Sequence, residues 1–357
     1  MLKVLELFAG IGACSKALEN LGIEHEIVDC VEIDKYAVKS FNAVHGTDFE
    51  PQDITKWDKD IECDLVMHGS PCQDFSVAGK QAGGDKDSGT RSSLMYETLR
   101  IVEKLKPKYV IWENVKNLLS KKHRHNFDAY LEAMSNLGYV NYYQVLNAKN
   151  YGVPQNRERV FTVSVRNDVY NGFKFPARRP LTRHLKDVLE SEVDEKYYLS
   201  DEQVAGFVRT TEKAKAKGNG FRFEPTTGDG YAKCIATRPG SRQTDNYVAI
   251  KTANTKGYDL ATDGDGIDLN YPDSKTRRGR VGHGVSKTIP TGGGSQGVLD
   301  GFRIRKLTPK ECWRLMGFDD TDFEKAEKVN SNTQLYKQAG NSIVVNVLEA
   351  ILKELLC

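Results

Sequence analysis

The sequence lacks several features that would place it in a particular class of proteins. It has no run of about 18 apolar residues, so no membrane-spanning helix is expected. No basic segment precedes the apolar patches of its start, which Glu6 interrupts, and no signal peptide is expected. Its 7 cysteines include no C-x-x-C pair, which argues against a disulfide framework and against a zinc site. A reducing cytoplasm is therefore the expected location, and no metal is expected.

The composition is close to that of ordinary globular proteins. The chain has 357 residues, of which 39% are hydrophobic and 28% are charged. These values exclude wholesale disorder, collagen and a coiled coil. At about 150 residues per domain, the length predicts two or three domains.

The charge is segregated along the chain, although the formal net charge is only +2. Residues 171–306 hold 24 Lys and Arg against 17 Asp and Glu, which is a net charge of +7. The rest of the chain holds 27 against 32, which is a net charge of −5. A solvated basic surface is the simplest explanation, but the segregation favours a polyanionic partner for the basic segment.

Strands and helices alternate in the first part of the chain, and this pattern predicts an α/β fold with a doubly wound, mostly parallel sheet. Apolar runs predict strands over 4–8, 27–33, 64–68, 109–112 and 160–165. Helical spacing predicts helices over 13–21, 35–44, 93–105, 127–137 and 344–355. We therefore expect one domain with this fold over residues 1–170.

The middle of the chain has a different texture. Residues 217–301 contain 16 of the 31 glycines and no convincing long helix, which predicts a smaller domain rich in β-structure and loops over residues 171–304. A capping-box pattern from Thr308 to Glu311 then starts a helix. Residues 305–357 are expected to return to the first domain.

The first strand is followed by a glycine-containing turn typical of nucleotide sites. Gly10 and Gly12 allow the backbone to approach a ligand, but Ser15 stands where a third glycine would complete a dinucleotide motif. Glu32 ends the next strand, where an acid accepts ribose hydroxyls, and Asp53 is a candidate acceptor for an adenine amino group. A tight turn with two surface acids is an equally good interpretation of these residues alone.

Two chemically reactive side chains follow predicted strands at the ligand-binding edge of the sheet. Cys72 comes after the third strand in a polar turn, where a nearby cation would favour its nucleophilic thiolate. Glu113 comes after the fourth strand, where a desolvated pocket would keep it protonated as an acid. Taken singly, an inert buried thiol and a surface or helix-capping glutamate are the more common explanations.

A short alternating segment supplies polar and cationic side chains near the same edge. Gln155, Arg157 and Arg159 share one face of an extended segment, and two guanidinium groups there could orient a glutamate or bind a phosphate. The basic run Lys275–Arg280 suits a phosphate backbone. Solvated surface is the alternative for both segments.

In their order, these motifs resemble those of the DNA cytosine-5 methyltransferase family, of the bacterial and phage type. The resemblance rests on Phe8-Ala9-Gly10-Ile11-Gly12, Glu32, Asp53, Pro71-Cys72-Gln73, Glu113-Asn114-Val115, Gln155-x-Arg157-x-Arg159, Arg305–Glu311 and Gly340-Asn341-Ser342. It implies a sequence-specific enzyme that flips a cytosine out of duplex DNA. It also implies that residues 1–170 form a Rossmann-like catalytic and cofactor-binding domain, which residues 305–357 complete. Its methyl donor would be S-adenosyl-L-methionine, released as S-adenosyl-L-homocysteine.

The resemblance also implies residue roles. Cys72 would add to carbon 6, Glu113 would protonate nitrogen 3, and Arg157 and Arg159 would orient Glu113 and the base. The implied cofactor-binding residues are Phe8, Gly10, Ile11, Gly12, Glu32, Ile33, Asp53, Ile54, Pro71, Leu94, Asn341 and Ile343. The implied DNA contacts are Gln73, Ser76, Gln155, Arg277, Arg278, Arg280 and Thr288, with a closing loop over residues 73–89 and a target-recognition domain over 171–304.

The expected partner is double-stranded DNA, bound by a monomer in the cytoplasm at the nucleoid, and a cognate restriction endonuclease is a candidate second partner. A tRNA cytosine methyltransferase of the same fold, a catalytically silent DNA-binding regulator and a nicotinamide dehydrogenase are alternatives. The basic insertion disfavours a tRNA methyltransferase, and the presence of Cys72 and Glu113 disfavours a silent regulator. Ser15 disfavours a dehydrogenase. Amino-methylating DNA enzymes are disfavoured because their Asn/Asp-Pro-Pro-aromatic tetrapeptide does not occur.

Overall fold

The protein is described by a computed structural model, and the elements below belong to the part of the chain that it describes. That part comprises residues 1–71, 91–170, 172–216, 218, 223–226, 230–237, 242, 245–248, 266–268, 281–282, 296–298 and 304–357. The strands are β1 (Leu2–Leu7), β2 (His25–Val31), β3 (Leu65–His68), β4 (Tyr109–Val115), β5 (Tyr139–Asn147), β6 (Gln155–Asn156), β7 (Glu158–Arg166), β8 (Ala232–Lys233), β9 (Tyr247–Val248), β10 (Gly266–Asp268), β11 (Val281–Gly282), β12 (Gln296–Val298) and β13 (Arg305–Lys306). The α-helices are α1 (Ala13–Asn20), α2 (Lys35–His45), α3 (Met95–Leu105), α4 (Arg124–Asn136), α5 (Asp201–Ala216), α6 (Pro309–Arg314), α7 (Asp320–Glu327), α8 (Asn332–Asn341) and α9 (Val345–Leu356).

Six strands form the central sheet in the order β2-β1-β3-β4-β7-β5. The pairs β1–β2, β1–β3 and β3–β4 are parallel, whereas β7 runs antiparallel to both β4 and β5. Helices connect the parallel strands, and burial between helices and sheet accounts for the apolar runs in β1 and β3. The predicted mostly parallel, Rossmann-like α/β fold is confirmed.

The chain separates into two compact units. Unit 1 comprises Met1–Arg183 and Cys312–Cys357, and unit 2 comprises His184–Glu311. In unit 1, α9 packs against α1 and α7 packs against α2, so the C-terminal segment completes the layer beside the first two helices. Both boundaries of unit 2 therefore lie later in the chain than the expected boundaries of the segment 171–304.

Unit 2 holds the long helix α5, which precedes the glycine-rich residues 217–301 and was not among the predicted helices. A small apolar cluster of Leu199, Phe223, Tyr247 and Ile304 forms its described core. The predicted capping box is present at its end. The Thr308 amide donates to Oε2 of Glu311 at 2.8 Å, and the Glu311 amide donates to Oγ1 of Thr308 at 3.1 Å.

Strand β4 is longer than the sequence predicts, and this changes the setting of Glu113. The prediction ended the strand at Trp112, whereas β4 continues to Val115 because β7 pairs with it along its full length. Glu113 thus lies within the strand, with its backbone held by the ladder on the β7 side. A position inside a paired strand fixes a side chain more firmly than the predicted turn would.

Candidate active site

The turn after β1 has an unusual backbone. Phe8 has φ of +52°, a left-handed conformation that side-chain-bearing residues rarely adopt, and Gly10 and Gly12 follow with φ of +60° and +78°. A Cβ at Gly12 would lie 2.1 Å from Nε2 of His45, whereas a Cβ at Gly10 would meet nothing within 4 Å. Gly12 is therefore required by packing, and Gly10 leaves open space at the turn.

Glu6 occupies the N-terminus of the helix that follows this turn. Its Oε1 accepts the backbone N–H of Ser15 at 3.0 Å and also the Ser15 hydroxyl. Burial raises the pKa of Glu6, while the hydrogen bonds from Ser15 oppose that rise. The end of α1 that would bind a pyrophosphate is thus already satisfied by a side chain of the protein, and Ser15 is part of that arrangement.

The end of β2 lies beside the glycine turn. Oε2 of Glu32 accepts the Gly10 amide at 3.0 Å, and Oε1 accepts the Asp34 amide at 2.9 Å. The Gln52 amide donates to the Glu32 carbonyl at 2.8 Å, which brings the segment containing Asp53 to the same place. Burial raises the pKa of Glu32. Beside it, the apolar side chain of Ile33 is 70% exposed.

Glu113 is a buried carboxyl group held by an arginine. Oε1 lies 3.0 Å from Nε of Arg159, which faces it from β7. Burial raises the pKa of Glu113, and the charges of Arg159 and Arg157 oppose the rise. A Cβ placed on Gly69 would lie 3.9 Å from Oε2 of Glu113, so this oxygen faces the end of β3. The protonated form that a general acid needs is the form that burial favours.

A buried polar network fixes the residues immediately before Cys72. The Trp112 indole donates to Oγ of Ser70 at 3.0 Å, and Nδ2 of Asn114 donates to the Ser70 carbonyl at 3.3 Å. All three residues are almost fully buried. These contacts from β4, together with the fixed φ of Pro71, set the direction in which the chain leaves β3. Nothing in the sequence pattern distinguished Ser70 or Trp112 in advance.

Arg157 holds a third segment at this edge. Its guanidinium donates to the carbonyl of Ser342 at 2.7 Å and to that of Gly340 at 3.2 Å. These bonds tie the residue between β6 and β7 to the turn containing Asn341 and Ile343. A cleft in unit 1 is lined by Glu6, Leu7, Phe8, Ala9, Gly10, Ala13, Cys14, Met67, Gly69, Glu113, Asn341, Ser342 and Ile343.

Four of the predicted cofactor residues line this cleft, namely Phe8, Gly10, Asn341 and Ile343. Other predicted residues contribute mainly packing. Ile11 and Ile54 are buried, and Leu94 packs against the hydrophobic core at the start of α3. Asp53 caps a short 3₁₀-helix by accepting the Thr55 amide at 3.0 Å.

The burial of Gln155 contradicts the expectation that this residue contacts DNA. Its side chain has no exposed surface and donates to the Leu315 carbonyl at 2.6 Å. It therefore holds the segment after α6 against β6, and we exclude it from the proposed DNA contacts. Other predicted site residues lie outside the described part of the chain: Cys72, Gln73, Ser76, Arg277, Arg278, Arg280, Thr288 and the loop 73–89.

The described residues contain neither a candidate membrane span nor a candidate metal site. None of the helices there is long and apolar enough to cross a membrane. No group of three or more His, Cys, Asp or Glu side chains in that same part is arranged to hold a metal ion.

Solved structures that resemble this fold include methyltransferases. The chain superposes on Dnmt2 methyltransferase from S. pombe with a TM-score of 0.66 and 19% identity, covering 100% of both chains. It superposes on a putative DNA modification methyltransferase encoded within an E. coli prophage with a TM-score of 0.60 and 18% identity, covering 99% and 98% of the two chains. These similarities define a Rossmann-like methyltransferase fold.

Sequence comparison gives the family. Residues 2–357 match the C-5 cytosine-specific DNA methylase family, and the chain belongs to it. Type II methyltransferase M2.ScrFI of Lactococcus lactis is 37% identical, with 99% of each chain covered. Orphan methyltransferase M.SPRI of Bacillus phage SPR is 34% identical, with 99% of this chain and 97% of that protein covered. The activity is thus methylation of carbon 5 of cytosine in DNA, and the family implies S-adenosylmethionine as the methyl donor.

Proposed function

We propose that this enzyme methylates a cytosine within a specific duplex sequence, using Cys72 as the nucleophile and Glu113 as the proton donor. The observation that carries the proposal is the buried Glu113, paired with Arg159 and facing the end of β3 three positions before Cys72. A carboxyl group in this setting favours its protonated form and faces the strand end from which the nucleophile's turn departs.

The proposed chemistry begins when the Cys72 thiolate forms a bond to carbon 6 of the flipped cytosine. The electron pair of the 5,6 double bond moves into the ring, and Glu113 transfers its proton to nitrogen 3. Carbon 5 is then nucleophilic, and bound S-adenosylmethionine supplies the methyl group. A solvent water takes the proton from carbon 5, which restores the 5,6 double bond, and the same electron movement expels the Cys72 thiolate. Return of the nitrogen 3 proton to Glu113 leaves neutral 5-methylcytosine and restores the acid.

Arg159 and Arg157 act on different parts of this site. Arg159 contacts Glu113 directly and limits the rise of its pKa, so the acid keeps a tendency to give up its proton. Arg157 is a positioning residue, because its two hydrogen bonds hold the turn that carries Asn341 and Ile343 beside the cleft.

The residues around the glycine turn fit S-adenosylmethionine and do not fit a dinucleotide. Glu6 fills the helix N-terminus that a pyrophosphate would need, and S-adenosylmethionine carries no phosphate. Glu32 offers its carboxylate to ribose hydroxyls, and the exposed Ile33 offers an apolar surface to adenine. The space beside Gly10 admits the ligand next to the backbone. The remaining predicted cofactor residues, including Ile11, Gly12, Asp53, Ile54, Pro71 and Leu94, would support these contacts.

Residues 171–304 are proposed as the target-recognition domain that reads the DNA sequence. The support is their net positive charge and their glycine-rich composition. Gln73, Ser76, Arg277, Arg278, Arg280 and Thr288 remain predicted DNA contacts. We also propose that the enzyme acts as a monomer in the cytoplasm, associated with the nucleoid. A cognate restriction endonuclease is the proposed second partner.

Covalent trapping tests the nucleophile. Wild-type protein with S-adenosylmethionine and a duplex carrying 5-fluorocytosine in its target sequence should form a stable adduct, because the fluorine prevents loss of the group at carbon 5. Cys72→Ala should form none while it still binds S-adenosylmethionine, and Cys234→Ala, which removes an exposed thiol, is the matched control. Adduct formation by Cys72→Ala would overturn the assignment.

Bisulfite sequencing of a plasmid from expressing cells would give the target sequence for this experiment. Tritiated methyl transfer to duplex DNA and to tRNA compares the two substrate classes. Labelling of tRNA alone would contradict the duplex substrate.

A further inference from the structure

Side-chain amides join α2 to α8 in unit 1. Oε1 of Gln338 on α8 accepts the hydroxyl of Ser40 on α2 at 2.9 Å, and Nε2 donates to the Tyr36 carbonyl at 2.9 Å. Nδ2 of Asn330 donates to the same carbonyl and to the same hydroxyl oxygen, each at 2.8 Å. Ser40 and Gln338 are both buried. A buried amide that must keep both of its bonds holds the two helices in one register.

Each of these helices adjoins a different part of the proposed cofactor site. Helix α2 starts after Glu32, and the amide of its N-cap residue Asp34 donates to Oε1 of Glu32 at 2.9 Å. Helix α8 ends at Asn341, and the Gln338 carbonyl accepts the Ser342 amide at 2.9 Å. Gln338 therefore bonds to the turn that follows α8 through its backbone and to α2 through its side chain.

The turn after α8 is thus held from two sides. Arg157 holds it through the carbonyls of Gly340 and Ser342, and Gln338 holds it against α2. Nζ of Lys337 also lies 2.6 Å from Oδ2 of Asp34, but such a partly exposed ion pair contributes little. The buried amide of Gln338 is therefore the main polar link described between α8 and the start of α2.

The methyl donor has to reach from one of these parts of the site to the other. Its adenosine end is proposed to lie at Glu32, whereas its methyl group must lie beside the base at Glu113. The cleft that Glu113 lines is also lined by Asn341 and Ile343. A ligand bound at both places binds more tightly when their spacing is already correct in the free protein.

We propose that Gln338 is a positioning residue for S-adenosylmethionine, because it sets the spacing between Glu32 and the turn at Asn341. The inference rests on the proposed function, from which it takes the cofactor contacts. Gln338 does not line the described cleft, so it acts through α2 and the turn. Without its two side-chain bonds this spacing would vary, and part of the binding free energy of the donor would be used to restore it.

Calorimetric titration with S-adenosylhomocysteine measures the effect without turnover. Gln338→Met keeps the length of the side chain, removes both hydrogen bonds and should weaken binding roughly tenfold. In methylation of duplex DNA, the KM for S-adenosylmethionine should rise by a similar factor. The kcat at saturating donor should stay within about twofold of the wild type, because the bound donor restores the spacing.

Asn141 provides the matched control, because its side-chain amide makes the same kind of contact at the other edge of the sheet. Nδ2 donates to the Leu131 carbonyl at 3.1 Å, and Oδ1 accepts the Ser164 hydroxyl at 2.6 Å. Asn141→Leu should leave the dissociation constant and the KM unchanged. Ser40→Ala is a milder second variant that removes one bond to Gln338 and should weaken binding about threefold. It decides the question if Gln338→Met does not fold.

Unchanged binding of S-adenosylhomocysteine by Gln338→Met and Ser40→Ala would overturn the inference, and so would an equal loss in Asn141→Leu. A fall in kcat with an unchanged KM would indicate only a loss of folded enzyme and would also count against it. The wild-type titration keeps this test separate from the proposed function. No binding by the wild type would contradict the proposed cofactor site itself, whereas equal binding by wild type and variants refutes the role of Gln338 alone.

Discussion

Nε of Arg159 lies 3.0 Å from Oε1 of Glu113, between the neighbouring strands β7 and β4. Two opposing effects thus act on one carboxyl group, because burial raises its pKa and the guanidinium lowers it. This balance matters for a group that must hold a proton and then release it to the base.

The pair predicts the pH dependence of methyl transfer. The protonated form of Glu113 is lost as pH rises through its pKa, so single-turnover rates should fall on the alkaline side. Glu113→Gln should reduce the rate by about 10²–10⁴-fold because the amide cannot transfer a proton. Arg159→Ala should move the alkaline fall to higher pH, since a group that lowers the pKa has been removed. An alkaline limb that stays in place in Arg159→Ala would contradict this assignment.

A second prediction concerns the network before Cys72. Ser70→Ala removes the acceptor of the Trp112 indole and leaves a buried donor unsatisfied, at a cost of about 1–3 kcal/mol of stability. We expect slower adduct formation with 5-fluorocytosine and little change in the dissociation constant for S-adenosylmethionine. Ser135→Ala, which removes an exposed helical hydroxyl, is the control. Normal trapping by Ser70→Ala would show that the network does not position the turn.

The two glycines of the cofactor turn should respond differently to alanine. Gly12→Ala combines a left-handed φ with a contact of 2.1 Å to His45, and should destabilise the protein by about 2–5 kcal/mol. Gly10→Ala has only the φ of +60° to overcome, at about 1–2 kcal/mol, but its methyl group would occupy the open space at the turn. Urea unfolding and calorimetric titration with S-adenosylmethionine separate these effects. Equal destabilisation by both would be inconsistent with this packing.

His68 predicts a pH dependence of stability. Burial lowers its pKa from 6.5 to about 3, and its ring lies 5.6 Å from that of Trp112 in a stacked arrangement. Unfolding therefore takes up a proton at pH values between these limits, so the contribution of the neutral imidazole is complete above pH 6.5 and is lost as pH falls. In that window the free energy of unfolding falls by about 1.4 kcal/mol for each pH unit of acidification.

Urea unfolding at pH 7 and pH 5 measures this effect, with an expected contribution from His68 of about 2 kcal/mol. His68→Gln should be less stable at pH 7 and should lose less stability at pH 5 than the wild type. His125→Gln, at an exposed position on α4, should behave like the wild type. The same loss in His68→Gln as in the wild type would assign the pH dependence to other groups.

The local sequence pattern determined the α/β alternation, the turn with Gly10 and Gly12 and the capping box at Thr308, because each depends on residues a few positions apart. Tertiary structure decided the rest. Pairing with β7 extends β4 through Glu113, while Glu6 fills the helix end that the glycine pattern marks as an anion site. Gln155 shares a motif with Arg159 yet is buried against Leu315. Burial and long-range pairing depend on segments distant in the chain, so the residue pattern alone could identify these side chains but could not assign their surroundings.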